Sequence, residues 1–237
     1  MMNRFRRVAP LYWFFTILMA AILLLMPAVF KTTSFEWKSF LLSLGFVPHW
    51  SVAYPGFAWP IVAPGWSLIY EMYFYLLFAI SLVFPQKVRL LFITTIIVLV
   101  FIAATATNTG ESAIARFFSR DMVFEFVFGM LLAVAWKQGF RLPSAASWFL
   151  LLFGVSLLFI DIPFSRIFEY GIPSLLIVTA CLFVRIKQYN WAVLLGDASY
   201  ALYLSHIFTL GVMRKILQPI LGEGPFAAYL FLSLIHI

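Results

Sequence analysis

Long runs of apolar residues dominate the sequence, and they restrict its possible folds more than any other feature. Several approach the ~20 residues that a helix needs to cross a bilayer: 11–30, 66–84, 90–107, 122–136, 145–160, 170–184 and 192–212. A shorter run at 35–47 precedes a stretch rich in Trp, Pro and Gly at 49–65. We interpret it as an interfacial or re-entrant segment followed by an ordered loop. The pattern predicts an all-α fold, a polytopic transmembrane helix bundle of about seven to eight spans.

The composition indicates that the outside of this bundle faces lipid. Hydrophobic residues make up 64% of the 237 positions and charged residues 11%, whereas soluble domains carry about 25% charged residues. The net charge of +7 does not indicate nucleic-acid binding, because the basic residues form short clusters between apolar runs, as orientation signals do. We therefore expect the lipid bilayer as a partner and no nucleic acid. Cys181 lies within an apolar run, which predicts a small buried hydrophobic residue.

The ends of the chain suggest an orientation and an incomplete domain. A basic segment at 3–8 precedes the first run, and placing it in the cytoplasm gives a weak excess of inside basic residues. No upstream helix precedes that segment, and 225–237 is too short to span a membrane. We therefore expect 1–237 to be a single, incomplete membrane domain. The last residues, 232–237, match the translation of a sequencing-adapter end, and we hypothesise a read-through scar there.

Glu71 is the first candidate site residue. Ionisable side chains inside membrane spans are costly, usually face the bundle interior and are functional by default. A helix that begins at Gly65 would place Ser67, Glu71 and Phe74 on one face, with the carboxylate about one turn inside the bilayer. The alternative is a structural carboxylate that pairs with an arginine of another helix.

A second candidate lies in the last long run. Ser199, Tyr203 and His206 recur at i, i+4 and i+7, which predicts a polar stripe on an apolar helix. A lone histidine is usually a satisfied core residue, but here it ends a polar stripe near the middle of the membrane. Asp197 is interpreted as a helix N-cap or first-turn acid with a structural role.

Two further groups are charged. Arg120 and Asp121 could form an interfacial pair without catalytic meaning, whereas Glu125 lies one turn deeper and would need a partner. Gly129 would allow close helix packing. Arg4 and Arg7 are either an orientation signal or a phosphate-binding pair at a membrane entrance. No zinc-binding His-Glu-x-x-His helix or phosphate-binding glycine loop is present in the sequence, so we expect neither a metal nor a bound cofactor.

Three stretches resemble the integral-membrane acyltransferase 3 family, in particular bacterial O-acetyltransferases of exopolysaccharide and lipopolysaccharide. Segment 4–13 (RFRRVAPLYW) resembles the family's Arg-x-x-Arg loop, which runs into a proline-aromatic helix start. Segment 64–75 (PGWSLIYEMYFY) resembles its P-G-W-[ST]-L-x-x-E-x-x-F-Y pattern, and 195–206 (LGDASYALYLSH) its L-G-x-x-S-Y-x-L-Y-L-x-H pattern. A weaker match lies at 125–133. Each pattern is modest, but their order and spacing form a strong joint signal.

The resemblance implies a multi-pass enzyme of the bacterial inner (cytoplasmic) membrane. Its co-substrate would be an acyl-CoA, usually acetyl-CoA, and its acceptor a hydroxyl of a cell-surface polysaccharide or lipid-linked sugar. Glu71 and His206 would be catalytic, acting by general-base activation of the hydroxyl or by relay of the acyl group. The residues expected to bind substrate or donor are Arg4, Arg7, Trp66, Ser67, Tyr75, Ser199 and Tyr203.

One departure from the family and two alternatives remain. Family members carry an arginine and a histidine in a helix upstream of the Arg-x-x-Arg loop, and this chain begins after that helix. We therefore expect the 237-residue chain alone to be inactive. A transporter or flippase of a lipid-linked sugar would also use intramembrane Glu, Arg and His, but the internal repeat typical of such proteins is not evident. A structural or sensory subunit would not need aligned polar stripes.

Overall fold

The computed structural model describes residues 2–26, 33–160, 165–184 and 190–221, and their regular secondary structure is helical. The prediction of an all-helical chain is confirmed for these residues. Two 3₁₀ turns, Ala63–Gly65 and Asp121–Val123, precede α3 and α6, and a π-helical turn, Ile167–Gly171, runs into α8. The α-helices are α1 (Met2–Leu25), α2 (Trp37–Leu44), α3 (Trp66–Ser81), α4 (Gln86–Ala106), α5 (Ala113–Phe118), α6 (Phe124–Lys137), α7 (Ser144–Leu157), α8 (Ile172–Phe183) and α9 (Asn190–Leu221).

Apolar helices are found at every predicted span. Two of the described segments, Phe5–Leu25 of α1 and Gln86–Ala106, are long and apolar enough to cross a membrane. Shorter apolar helices lie at Ser144–Leu157, Ile167–Phe183 and Ala198–Met213. The run at 35–47 contains only α2, whose 8 residues are too few to span. The total of about seven to eight spans stays a prediction.

Two helices begin earlier than predicted. α1 starts at Met2, so the prediction of a basic loop before the first span is wrong, because arginine is a good helix former and extends the apolar helix. α9 starts at Asn190, so Asp197 lies inside the helix and its interpretation as an N-cap or first-turn acid is wrong. Gly196 costs about 1 kcal/mol of helix stability relative to alanine, but the helix continues through it because apolar residues on both sides are helical.

The described chain forms two compact units. The first comprises Met1–Leu68 and Gln188–Ile237, and the second Ile69–Lys187. The first unit contains α1, α2, the loop before α3, and α9. The second contains most of α3 and the helices α4 to α8. Residues 232–237, where a scar was hypothesised, lie outside the described part of the chain.

Helices α7 and α8 of the second unit pack closely at Gly154. A Cβ atom there would lie 2.9 Å from Ile177 Cγ1 and 3.1 Å from the Pro173 carbonyl oxygen. At Gly129 a Cβ atom would meet no described atom within 4 Å, so the predicted close packing is not found among the described helices. Cys181 is exposed, and the prediction that it is buried is also wrong. Where the exterior is apolar as well as the interior, an apolar run does not identify the buried positions.

Candidate functional site

A buried corner at Pro64 and Gly65 begins α3 in the first unit. The Gly65 amide donates to the Val62 carbonyl at 2.8 Å, which closes the 3₁₀ turn. The ring of Tyr12 lies against Gly65 so closely that no Cβ atom would fit, and Pro60 Cγ would lie only 3.1 Å from one. The predicted helix start near Gly65 is confirmed within one residue. Glycine is required here for steric reasons, since any Cβ atom at this position would overlap the ring of Tyr12.

Tyr203 of α9 binds this corner. Its hydroxyl donates to the Pro64 carbonyl at 2.8 Å and lies 3.2 Å from Ser67 Oγ. Because the Tyr203 proton is directed to Pro64, the Ser67 hydroxyl can donate either to Tyr203 Oη or to the Pro64 carbonyl, which is 3.2 Å away. The structure therefore brings together two of the residues predicted to bind substrate, Ser67 and Tyr203.

His206 lies one turn after Tyr203 in α9. Its Nδ1 atom is hydrogen-bonded to the Tyr203 carbonyl oxygen. A carbonyl oxygen only accepts, so the proton belongs on Nδ1 and the lone pair on Nε2. The ring centroids of Tyr203 and His206 are 5.8 Å apart. A half-buried imidazole in this tautomer can accept a proton or an acyl group at Nε2.

Ser199, Tyr203 and His206 all lie within α9, so their i, i+4, i+7 spacing places them on one face of the helix. Ser199 is exposed, and its hydroxyl donates to the Gly196 carbonyl of its own helix at 2.7 Å. Its neighbour Tyr200 donates to the Val8 carbonyl of α1 at 2.8 Å. A role of Ser199 in substrate binding stays a prediction.

The other residues predicted to bind substrate in the first unit are less enclosed. Arg7 is exposed on the first turns of α1, and Trp66 is half-buried at the start of α3. The backbone of Arg4 belongs to α1, whereas its side chain lies outside the described atoms. A role of Arg4 and Arg7 in donor binding stays a prediction.

Glu71 lies in the second unit, in the half-buried part of α3. Its carboxylate accepts a hydrogen bond from the hydroxyl of Tyr75, one turn further along the helix. The start of this helix is held by Tyr70, which donates to the Phe117 carbonyl at 2.5 Å and stacks on the Phe117 ring. Among the residues that the structure describes, Glu71 has no ion-pair partner, so a structural pairing with arginine is not observed there.

A second acid of the second unit, Glu125 in α6, is paired. Arg166 Nε lies 3.6 Å from Glu125 Oε1, and the arginine also stacks over the Tyr170 ring. The prediction that Glu125 needs a partner is confirmed. Asp121 accepts the Ile167 amide at 3.3 Å, which ties the start of α6 to the π-helical turn. The charges of this part of the second unit are used to hold helices together.

A buried polar cluster of Tyr12, Ser43 and His49 lies in the first unit and was not predicted from the sequence. Tyr12 Oη donates to the Ser43 carbonyl at 3.1 Å, and Ser43 Oγ lies 3.4 Å from His49 Nε2. All three side chains are buried. The available signal was a histidine directly after a proline, at the start of a loop that the sequence already indicated to be ordered.

The stability of the first unit is expected to depend on pH through His49. Burial lowers the pKa of His49 below its ordinary value of 6.5, with Lys38 acting in the same direction and the Val47 carbonyl and Glu36 opposing it. The unfolded chain then binds more protons than the folded chain as the pH falls through 6.5, so the free energy of unfolding decreases. Thermal unfolding in nanodiscs between pH 7.5 and 5 measures this loss. His49→Gln should flatten the dependence, and an unchanged slope would contradict the assignment.

Comparison with known proteins identifies the class to which these features belong. A family model described as acyltransferase domain, of the acyltransferase 3 family, matches residues 1–236. The chain therefore belongs to the acyltransferase 3 family of membrane proteins. It is 32% identical over 222 residues to the exopolysaccharide production protein ExoZ of Rhizobium meliloti (strain 1021), a match that covers 90% of this chain and 68% of that protein. No solved structure matches it.

Proposed function

We propose that the protein transfers an acyl group, acetyl in the first instance, from acyl-CoA to a hydroxyl of a cell-surface polysaccharide or lipid-linked sugar. Membership of an acyltransferase family supports the reaction type. The name of the Rhizobium relative, which refers to exopolysaccharide production, supports a polysaccharide acceptor. The observation that carries the proposal is His206, whose Nδ1 faces a carbonyl oxygen and whose Nε2 therefore has a lone pair. The proposed location is the bacterial inner membrane.

His206 is proposed to act as the base. Its Nε2 removes the proton of the acceptor hydroxyl while the acceptor oxygen attacks the thioester carbonyl carbon. The tetrahedral oxyanion then collapses, the bond to sulfur breaks, and the proton on the imidazole returns to the departing thiolate of coenzyme A. An alternative order, in which Nε2 first takes the acyl group, uses the same atom. Glu71 is the second candidate proton acceptor, and the Tyr75 hydroxyl that donates to it orients its carboxylate.

The remaining residues are proposed to bind the two substrates. Arg4 and Arg7 would contact the phosphates of coenzyme A, which forked guanidinium groups recognise well. Ser67 and Tyr203 would bind substrate through their paired hydroxyl groups at the corner. Trp66 and Tyr75 would contact substrate through their half-buried rings. Ser199 would contact substrate from the exposed side of α9.

Mass spectrometry of the surface polysaccharide tests the proposal. In the native host, deletion of the gene should remove acyl esters and leave the polymer itself in normal amount. His206→Ala should lower the ester content at least 100-fold, within the range typical of a lost acid–base catalyst. Ser205→Ala is the matched control, because the Ser205 hydroxyl donates to its own helix at Leu202, and it should retain the esters.

The outcomes separate the candidate functions. Loss of exported polymer with unchanged ester content per sugar would favour a transporter or flippase. Full acylation in His206→Ala would show that the base is another residue. Acylation of lipid or protein in place of sugar would overturn the acceptor assignment.

A further inference from the structure

We propose that His49 is a positioning residue for the corner that presents Ser67 and Tyr203, acting through the Ser43 hydroxyl. The inference rests on the proposed function, because Ser67 and Tyr203 are proposed there to bind substrate. His49 is 18 positions before Ser67 in the sequence. His49 does not contact either residue directly. Hydrogen bonds of Ser43 and the packing of the Tyr12 ring link His49 to the corner.

The first step of this series is the tautomer of His49. Its Nδ1 atom lies 2.9 Å from the Val47 carbonyl oxygen, so Nδ1 carries the proton. Nε2 then accepts, and Ser43 Oγ, 3.4 Å away, is the donor. The direction of the Ser43 hydroxyl is therefore set by the histidine.

The second step joins Ser43 to both sides of the corner. Its Oγ accepts the Ile61 amide at 3.0 Å, immediately before Val62, whose carbonyl closes the 3₁₀ turn. Its carbonyl accepts the Tyr12 hydroxyl, and the Tyr12 ring packs against Gly65. Ser43 thus holds the corner through a backbone amide on one side and an aromatic ring on the other.

A nucleophilic role for Ser43 is the competing interpretation of the same pair. A serine hydroxyl beside a histidine whose other nitrogen is fixed by a carbonyl is an arrangement found in covalent catalysis. However, Ser43 is fully buried, with 0% exposure, and its Oγ is already engaged by both Ile61 and His49. No face of this oxygen is open to a thioester, so the geometry favours positioning.

Two substitutions of His49 separate the two halves of its role. Gln places an amide oxygen near the position of Nε2 and preserves an acceptor for Ser43. Asn places an amide nitrogen near Nδ1, preserves the bond to Val47 and leaves the buried Ser43 hydroxyl without its acceptor. Loss of one neutral hydrogen bond changes an equilibrium constant by about fivefold.

The kinetic test uses the product of the complete native gene, acetyl-CoA and the host's own alkali-deacylated polysaccharide. His49→Asn should raise the KM for the polysaccharide about fivefold with kcat within about twofold of wild type, whereas His49→Gln should keep both within about twofold. Equal effects of the two variants, or a change confined to kcat, would overturn the positioning role. An acylated Ser43 peptide in mass spectrometry would replace it with a covalent one.

A second readout does not depend on activity. Tyr54 and Phe57 are exposed in the loop before the corner, and they offer chymotrypsin a cleavage site. His49→Asn should be cut about fivefold faster than wild type, and His49→Gln at the wild-type rate. If the wild-type product of the complete native gene transfers no acyl group, the proposed function fails, whereas equal cleavage of the two variants overturns the positioning role.

Discussion

Glu71→Gln is expected to lower kcat for acyl transfer by about 10²- to 10⁴-fold, the range for removal of an acid–base group. The substitution keeps the size of the side chain and an oxygen for the Tyr75 hydroxyl, but it removes the charge and the ability to take a proton. Glu71 has no ion-pair partner among the residues that the structure describes, and an acid at the centre of a membrane span costs roughly 2.5 to 3.5 kcal/mol, which a purely structural residue does not require. Acetyl transfer to the host's deacylated polysaccharide by the product of the complete native gene in nanodiscs gives the rate.

Glu125→Gln is the matched control for that experiment. It makes the same chemical change to another half-buried glutamate of the second unit, whose carboxylate is paired with Arg166. We expect kcat to stay within about threefold of wild type, because the loss is that of one partly exposed ion pair. Comparable losses in the two variants would mean that the carboxylate of Glu71 supports the helices and not the reaction.

Gly65→Ala is expected to have the largest effect on the first unit. An added Cβ atom would overlap the Tyr12 ring, and that ring is fully buried, so the backbone must move. Overpacking of this kind costs about 1 to 3 kcal/mol. The movement would also separate Pro64 from Tyr203, so acyl transfer should fall with stability. Thermal unfolding and the transfer assay on one preparation measure both.

Gly129→Ala controls for the change of glycine to alanine itself. The added methyl group at this helical position meets no described atom within 4 Å, and alanine favours a helix over glycine by about 1 kcal/mol. The variant should therefore be as stable as wild type or slightly more stable. If Gly65→Ala also leaves the melting temperature unchanged, the close approach to Tyr12 is not a feature of the folded protein.

The helices were predictable because one physical requirement acts on every apolar run. In lipid, each backbone N–H and C=O group must be hydrogen-bonded within the protein, and a helix does this within a single segment. The ends were less predictable, as α1 and α9 show. Arginine and glycine do not stop a helix when the residues beyond them are also compatible with one. Prediction failed more seriously for exposure, since Cys181, which was expected to be buried, is exposed. In an apolar fold, hydrophobicity does not separate the two faces of a helix.

The pairing of Ser67 with Tyr203 could not be read from periodicity, because it joins residues 136 positions apart. Family-like patterns placed both residues in candidate segments but gave no distance between them. His49 was missed for a different reason. Its importance comes from a backbone carbonyl and a serine that the loop brings to it, and neither belongs to a recognisable sequence pattern.

The bond from Tyr203 to Pro64 spans 139 residues, which has a consequence for biogenesis. At synthesis rates of about 5–20 residues per second, α9 leaves the ribosome on the order of 10 s after the corner does. During that interval α3 can enter the membrane, but the hydroxyl that fixes its first turn has not yet been made. The nascent protein therefore acquires the Ser67–Tyr203 pair only when α9 inserts, so the order of synthesis delays formation of this contact until α9 has been made.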